Sequence, residues 1–235
     1  MSSPNFFLEA RSTSEGTWLN EEYEARVREP EEPRTPSKAF GPLQVDVVRI
    51  ADGAVIGSYR RNYSTLFRTF ASFRKDGRSF ALYSPNYSAT RVMELPSCRD
   101  LGGEEPNSFG FCPTDYFVPQ DAQGNLSVTF AFVSGCIWGD DSSWKIQVLD
   151  LSAIDKGALK RDERFGYIHL PDKLNLQDAI QVLPGTSMID SDWPGTPPRW
   201  IAQVAVQKWF DLETGEEILW EHGEAKPARD AQDKV

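Results

Sequence analysis

The sequence is poor in the residue types that most enzymes use for acid–base, thiol or metal chemistry. Its 235 residues include two histidines, His169 and His222, and three cysteines. Catalysis near neutral pH most often uses histidine as its base, and a zinc site needs several His, Cys or carboxylate ligands at short spacings. The chain has no Cys-x-x-Cys or His-Glu-x-x-His motif and no glycine-rich phosphate-binding loop. We therefore predict no catalytic residue, no metal and no cofactor, and an enzyme is disfavoured.

Long hydrophobic runs are also absent. No apolar run reaches the roughly 18 residues of a membrane helix, and the first residues contain neither a basic leader nor a sustained apolar stretch. The three cysteines, Cys98, Cys112 and Cys136, cannot all pair within one chain, so reduced thiols are expected. These features predict a cytoplasmic protein that does not contact a membrane.

Positive charge is in deficit, with 25 Lys and Arg residues against 35 Asp and Glu residues and a formal net charge of −10. A chain of this charge repels a nucleic-acid backbone, so direct binding to nucleic acid is disfavoured. One basic cluster, interleaved with aromatic residues, predicts a local positive patch; it contains Arg60, Arg61, Arg68, Arg74, Lys75 and Arg78. The charge balance favours a protein partner with a basic or neutral surface.

A short repeat is the clearest feature that the sequence does contain. Asp52-Gly53, Tyr59 and Asn62-Tyr63-Ser64 recur 24 residues later as Asp76-Gly77, Tyr83 and Asn86-Tyr87-Ser88. Asp-Gly between apolar runs is typical of β-hairpins, because glycine adopts positive φ without steric cost. The two copies together predict one four-stranded antiparallel sheet over residues 43–97.

Alternating apolar residues predict short strands along most of the chain. The predicted strands are 21–28, 45–50, 54–59, 66–73, 79–84, 90–95, 115–118, 127–133, 144–151, 166–170 and 200–210. In 127–133 and 144–151 apolar residues occupy both faces, which predicts sheets that are packed on both sides.

The composition divides the chain into three parts. Residues 1–40 read as an N-terminal arm with a Pro- and Glu-rich loop, because prolines and charge disfavour regular pairing there. Residues 41–220 form the predicted β domain. Residues 221–235 are charged and lack periodicity, which predicts a flexible C-terminal tail.

A longer recurrence joins an apolar strand, an acidic or polar turn and a glycine, at 47–53, 92–102, 148–157 and 209–215. Its spacing is uneven, but it falls near the 40 to 50 residues of a four-stranded propeller blade, with insertions. Residues 73–81 and 210–216 resemble the second-to-third and third-to-fourth strand turns of blades in WD-repeat β-propellers. The resemblance implies an all-β, propeller-like fold of antiparallel four-stranded units. The Gly-His and Trp-Asp pair of that family is absent, and a two-sheet β-sandwich is the alternative.

Two loops outside the repeat contain the candidate binding residues. The first contains Trp138, Asp140, Asp141 and Trp144. Its Gly, Asp and Ser residues favour a tight turn, and its tryptophans suit core or rim positions. Contact with a partner is the second interpretation, and a hard cation held by the carboxylates is the third.

The second loop contains Asp190, Asp192, Trp193 and Arg199 and is stiffened by prolines. We interpret it first as a capping loop that closes the sheet. A recognition loop is the other interpretation, because aromatic and Arg side chains are enriched in binding hot spots.

Few catalytic groups and aromatic loops on a β scaffold favour recognition over chemistry. We predict a cytoplasmic, non-enzymatic binding module for a protein partner: an acidic inhibitor or immunity-type protein that covers a basic surface, or a mimic of nucleic acid. The alternative is a carbohydrate-active hydrolase or a lectin-like glycan-binding protein. The hydrolase requires two carboxylates about 5 to 10 Å apart in an aromatic-lined cleft.

Overall fold

The computed structural model describes residues 18–19, 22–27, 43–61, 70–86, 89–104, 111–137, 140–170, 176–185, 198–204, 208–221 and 224–227. In these ranges the chain is all-β, apart from a short helix, α1 (Leu176–Ala179), and a 3-10 turn (Ile154–Lys156).

Four antiparallel sheets follow one another along the chain. The first contains β1 (Trp18–Leu19), β2 (Tyr23–Val27), β3 (Leu43–Arg49) and β4 (Ala54–Arg61). The second contains β5 (Phe70–Lys75), β6 (Arg78–Asn86), β7 (Ala89–Leu95) and β8 (Arg99–Glu104). The third contains β9 (Phe111–Phe117), β10 (Phe130–Ile137), β11 (Asp140–Asp150), β12 (Lys160–Arg161) and β13 (Ile168–Leu170). The fourth contains β14 (Ile180–Pro184), β15 (Trp200–Val204), β16 (Lys208–Asp211), β17 (Glu217–Glu221) and β18 (Glu224–Pro227).

Strands that are consecutive in sequence are neighbours within each sheet, except that β12 and β13 both pair with β11. Each sheet is therefore a local meander, and four meanders in series give the arrangement of propeller blades. The fold is all-β and propeller-like, as predicted. A two-sheet β-sandwich, the alternative prediction, would also pack its sheets face to face.

Successive sheets pack against each other through buried apolar faces. In the second sheet, Leu82 belongs to the core shared with the third sheet, whereas Ala81 belongs to the core shared with the first. In the third sheet, Phe132 faces the fourth sheet and Val133 faces the second. Adjacent residues of a strand point to opposite faces, so both middle sheets are buried on both sides. This confirms the two-sided packing predicted for 127–133 and 144–151.

The 24-residue repeat spans two sheets, which corrects the prediction of one sheet over residues 43–97. Asp52-Gly53 forms the β3–β4 turn of the first sheet, and Asp76-Gly77 forms the β5–β6 turn of the second. Residues 73–81 therefore contain the first-to-second-strand turn of their sheet, not the second-to-third.

The longer recurrence marks the third-to-fourth-strand turn in three of the four sheets, whereas in the second sheet its glycine, Gly102, lies inside β8 beside an irregularity in the β7–β8 pairing. Its glycine follows the third strand of each sheet and has positive φ, a conformation that glycine adopts most readily. The four residues are Gly53 (φ 69°), Gly102 (φ 107°), Gly157 (φ 73°) and Gly215 (φ 76°). The third-to-fourth-strand position predicted for residues 210–216 is confirmed.

Several strand bounds differ from the prediction. The strand predicted over 21–28 is confirmed as β2, but 200–210 is two strands, β15 and β16. The prediction of a flexible tail from residue 221 is corrected for residues 224–227, because β18 pairs there with β17. Strand β18 contains Glu, Lys and Pro, which suit an edge strand and hide it from hydrophobic alternation. Strands β1, β8, β12, β14, β17 and β18 were not predicted.

Candidate functional site

Basic side chains join successive sheets at one end of the stack. Between the first and second sheets, Arg74 forms an ion pair with Glu22, which lies beside the β3–β4 turn. Between the second and third sheets, Lys75 Nζ lies 3.3 Å from Asp155 Oδ1. Between the third and fourth sheets, the Arg164 guanidinium donates to a backbone carbonyl of the β16–β17 turn. These contacts bring the β3–β4, β5–β6, β11–β12 and β16–β17 connections to the same end.

These ion pairs correct the interpretation of the basic cluster as a positive patch. Arg74 and Lys75 pair with carboxylates of neighbouring sheets, and Arg78 pairs with Glu94. Arg60 lies near the opposite end of β4. The cluster is therefore divided between two ends of the stack and partly neutralised.

The connections at the first end are strongly acidic. Their described residues include nine acidic and three basic ones: Glu22, Asp52, Asp76, Asp121, Asp155, Asp162, Glu163, Glu213 and Glu216, with Lys156, Arg164 and Arg199. Apart from α1, the segments that join strands at the opposite end lie outside the described residues. By sequence the segments at this end contain six acidic and five basic residues: Glu29, Glu31, Glu32, Glu105, Asp172 and Asp178, with Arg28, Arg34, Lys38, Arg68 and Lys173. We call the first end the acidic end.

The first candidate loop joins β10 to β11 at the opposite end. Trp138 lies outside the described residues, and Asp140 and Asp141 begin β11, with side chains that are also outside the description. Trp144 is half-buried, pairs with Cys136, and packs against the core between the third and fourth sheets. Trp144 is therefore a core residue, and partner contact by the other three stays a prediction.

The second candidate loop joins β14 to β15 at the acidic end. Strand β14 runs in the same direction as β16, which enters the β16–β17 turn there. Asp190, Asp192 and Trp193 lie in this loop, outside the described residues. Arg199 follows the loop and is exposed, and its carbonyl accepts a hydrogen bond from the Gly185 amide at 3.1 Å. A recognition role for these four residues stays a prediction.

The two candidate loops are therefore attached at opposite ends of the stack. Strand β11 alone has 11 residues, which corresponds to roughly 35 Å at about 3.3 Å per residue. One small binding site cannot be formed from the bases of both loops. The sequence did not indicate this, because it does not specify the end at which each hairpin turns.

Aspartates at the acidic end hold the turns together. Asp52 Oδ1 accepts a hydrogen bond from the Ala54 amide at 3.1 Å, and Asp211 Oδ1 accepts one from the Glu213 amide at 2.8 Å. Such bonds stabilise a tight turn by satisfying a backbone donor. The pKa of Asp52 lies below its usual range. The hydrogen bond from the Arg49 guanidinium is the main cause, and the bond from the Ala54 amide is the next largest.

The described carboxylates with a shifted pKa are all shifted downward; they are Asp52, Glu94, Asp100, Asp121, Asp155 and Asp162. A glycosidase acid needs the opposite shift, because it must hold a proton near neutral pH. These six side chains are therefore suited to permanent negative charge rather than to proton donation.

Asp162 and Arg164 connect the third sheet to the fourth. Asp162 Oδ1 accepts hydrogen bonds from the Arg164 amide at 3.1 Å and from Arg164 Nε at 2.9 Å. The side-chain hydrogen bond from Arg164 is the main cause that lowers the pKa of Asp162. The carboxylate is largely buried, which distinguishes this ion pair from the exposed ones around it.

Asp162→Asn is expected to lower the free energy of unfolding by about 1 kcal/mol at pH 7, because asparagine loses the charge-assisted bonds. A carboxyl with a lowered folded-state pKa stabilises the protein above its unfolded pKa of about 3.9. That contribution is lost as the pH falls through the folded-state pKa. Urea unfolding should therefore show the full difference at pH 6 and a smaller one at about pH 3. An equal difference at both pH values would contradict the ion-pair role.

The described residues contain neither a group of metal ligands nor a helix that could span a membrane. Among the described residues, no three or more His, Cys, Asp or Glu side chains are grouped closely enough to hold a metal ion. His169 is exposed on β13, and His222 lies outside the described ranges. None of the helices in those ranges has the length and apolar character that crossing a membrane requires.

Comparisons with known proteins identify no family. No family model and no curated protein matches the chain. Among solved structures, the chain is similar to dihydro-heme d1 dehydrogenase NirN, at 13% sequence identity and a TM-score of 0.25. The match covers 66% of this chain and 37% of that protein. The strand order and packing described above, rather than this similarity, define the fold.

Proposed function

We propose that the protein is a non-enzymatic binding module that recognises a protein partner through its acidic end. The observation that supports this proposal is the unequal distribution of charge between the two sets of connections. The described connections of the acidic end include nine acidic and three basic residues. Five of the nine carboxylates form ion pairs, and the acidic excess that is left over attracts a basic partner and repels nucleic acid and anionic lipid.

The structure of the turns makes this surface suited to binding. Hydrogen bonds from the turn amides fix Asp52, Asp121 and Asp211 in place before a partner arrives. The two middle sheets below the turns are buried on both faces, so their turns rest on a rigid scaffold. A preorganised surface loses little conformational entropy on binding. The function is that of a cytoplasmic acidic inhibitor or immunity-type protein that covers a basic surface.

The second candidate loop belongs to this surface in the proposal. It leaves and re-enters the described structure at the acidic end, and its sequence adds Asp190, Asp192 and Trp193. Exposed Arg199 stands at its base. An aromatic anchor within a charged rim is the composition typical of a protein–protein interface.

The proposal is tested by capture and salt dependence. The immobilised full-length chain is incubated with a lysate of its native cells at about 50 mM salt, and retained proteins are identified by mass spectrometry. We expect a basic protein whose dissociation constant rises at least about tenfold between about 50 and 500 mM salt, because salt screens exposed charges over about 10 Å at 0.1 M.

Two variants that each remove three negative charges give a matched comparison. Asp76→Asn/Asp192→Asn/Glu213→Gln changes the acidic end without touching the turn-capping aspartates, and Glu29→Gln/Glu31→Gln/Glu32→Gln changes the segment between β2 and β3. The first variant should bind the captured partner about tenfold more weakly, mainly through slower association. The second should stay within about twofold. Equal losses in both variants, binding that is insensitive to salt, or no retained basic protein would reject the proposal.

A further inference from the structure

Two of the three cysteines lie directly opposite each other in neighbouring strands. Cys112 of β9 pairs in register with Cys136 of β10, near the end of the sheet that is opposite to the acidic end. Directly opposite residues of an antiparallel pair have Cα atoms about 4.5 to 5.5 Å apart and share a face of the sheet. Disulfides join Cα atoms about 4.4 to 6.8 Å apart. The register therefore meets the backbone requirement for a disulfide without movement of either strand.

The exposure of Cys136 permits reaction with a small oxidant. Cys136 is half-buried rather than enclosed. Cys98 lies elsewhere, at the turn between β7 and β8, and burial raises the pKa of its thiol. A raised pKa reduces the fraction of reactive thiolate. Cys98 therefore serves as an internal control for the reactivity of Cys112 and Cys136.

We propose that Cys112 and Cys136 are a redox-active pair that forms a reversible disulfide between β9 and β10 with a low-molecular-weight disulfide oxidant. The thiolate of one cysteine attacks a sulfur of the oxidant, which gives a mixed disulfide and releases one reduced thiol. The second thiolate attacks the mixed disulfide, forms the internal S–S bond and releases a second reduced thiol. Two electrons pass from the cysteine pair to the oxidant, and the two cysteine protons end on the released thiols.

The bond would fix the end of the third sheet from which the Trp138 hairpin departs. Cys136 is followed by Ile137, the last residue of β10, and the hairpin begins at the next residue. On the other side of β10, Cys136 pairs with Trp144 of β11. Oxidation therefore links β9 covalently to β10 at the base of this loop, away from the proposed partner surface.

The sequence allows a direct measurement. Residues 100–145 contain Cys112 and Cys136 but neither Cys98 nor an internal Lys or Arg, so trypsin releases both paired cysteines in one peptide. The folded full-length protein is incubated with oxidised glutathione, alkylated with iodoacetamide under denaturing conditions and digested. We expect this peptide to carry no alkyl group and to weigh about 2 Da less than the reduced peptide. The peptide with Cys98 should be alkylated.

Two controls test whether the strand register, rather than chance collision of thiols, determines which cysteines form the disulfide. Cys98→Ser should give the same oxidised peptide. In the urea-unfolded chain the same oxidant should also link Cys98 to Cys112, because the shorter loop closes more readily without the fold. The proposal is overturned if the folded protein keeps two alkyl groups on residues 100–145, if its disulfide includes Cys98, or if the bond joins two chains.

Discussion

Replacing Phe132 with alanine is expected to lower the free energy of unfolding by about 4 kcal/mol. Phe132 is fully buried in the core between the third and fourth sheets, with its ring centroid 6.2 Å from that of Phe117. Alanine leaves a cavity there, and close-packed neighbours on two sheets can relax only partly into it. Urea unfolding monitored by circular dichroism measures the loss.

Leu149→Ala tests the opposite face of the same sheet. Leu149 is fully buried in the core between the second and third sheets, so the variant is expected to lose about 3 kcal/mol. Val55→Ala is the matched control, because Val55 is 57% exposed and its truncation should change stability by no more than about 0.5 kcal/mol. If either buried variant stays within about 1 kcal/mol of the unchanged protein, the third sheet is not packed on both faces.

The burial of both faces could be predicted because a strand has a period of two. Phe132 and Val133 are adjacent and both apolar, so one of them must be exposed unless the sheet is covered on both sides. The structure covers both. In the same way, the recurring acidic turn and glycine marked the third-to-fourth-strand turn of three of the four sheets, because positive φ restricts the residue at that position.

Sheet membership could not be predicted from the turns. Asp52-Gly53 and Asp76-Gly77 have the same turn chemistry, yet the chain passes from the first sheet to the second between them. Turn residues report the local backbone and not the sheet to which the next strand adds. The acidic end was missed for a related reason: its carboxylates are spread along the sequence and meet only when the direction of every strand is known.

Gly157→Ala is expected to lower the free energy of unfolding by at least about 3 kcal/mol. Gly157 has a φ of 73°, and a Cβ atom there would lie 2.3 Å from the Leu101 carbonyl oxygen of the second sheet. Gly102, the corresponding glycine of the second sheet, faces it, because a Cβ at Gly102 would lie 3.0 Å from the Gly157 carbonyl. The backbones of two sheets thus approach closely at the acidic end, and a methyl group would separate them.

Gly53→Ala measures the cost of the left-handed backbone conformation alone, without a close contact to another sheet. Gly53 holds the equivalent turn of the first sheet with a φ of 69°, and a Cβ there would have nothing within 4 Å. Only the left-handed conformation opposes alanine at this position, so the expected loss is about 1 kcal/mol. Urea unfolding of both variants gives the difference. Equal losses would mean that the second and third sheets are not in backbone contact at Gly102 and Gly157, and that the recurring glycine serves its turn alone.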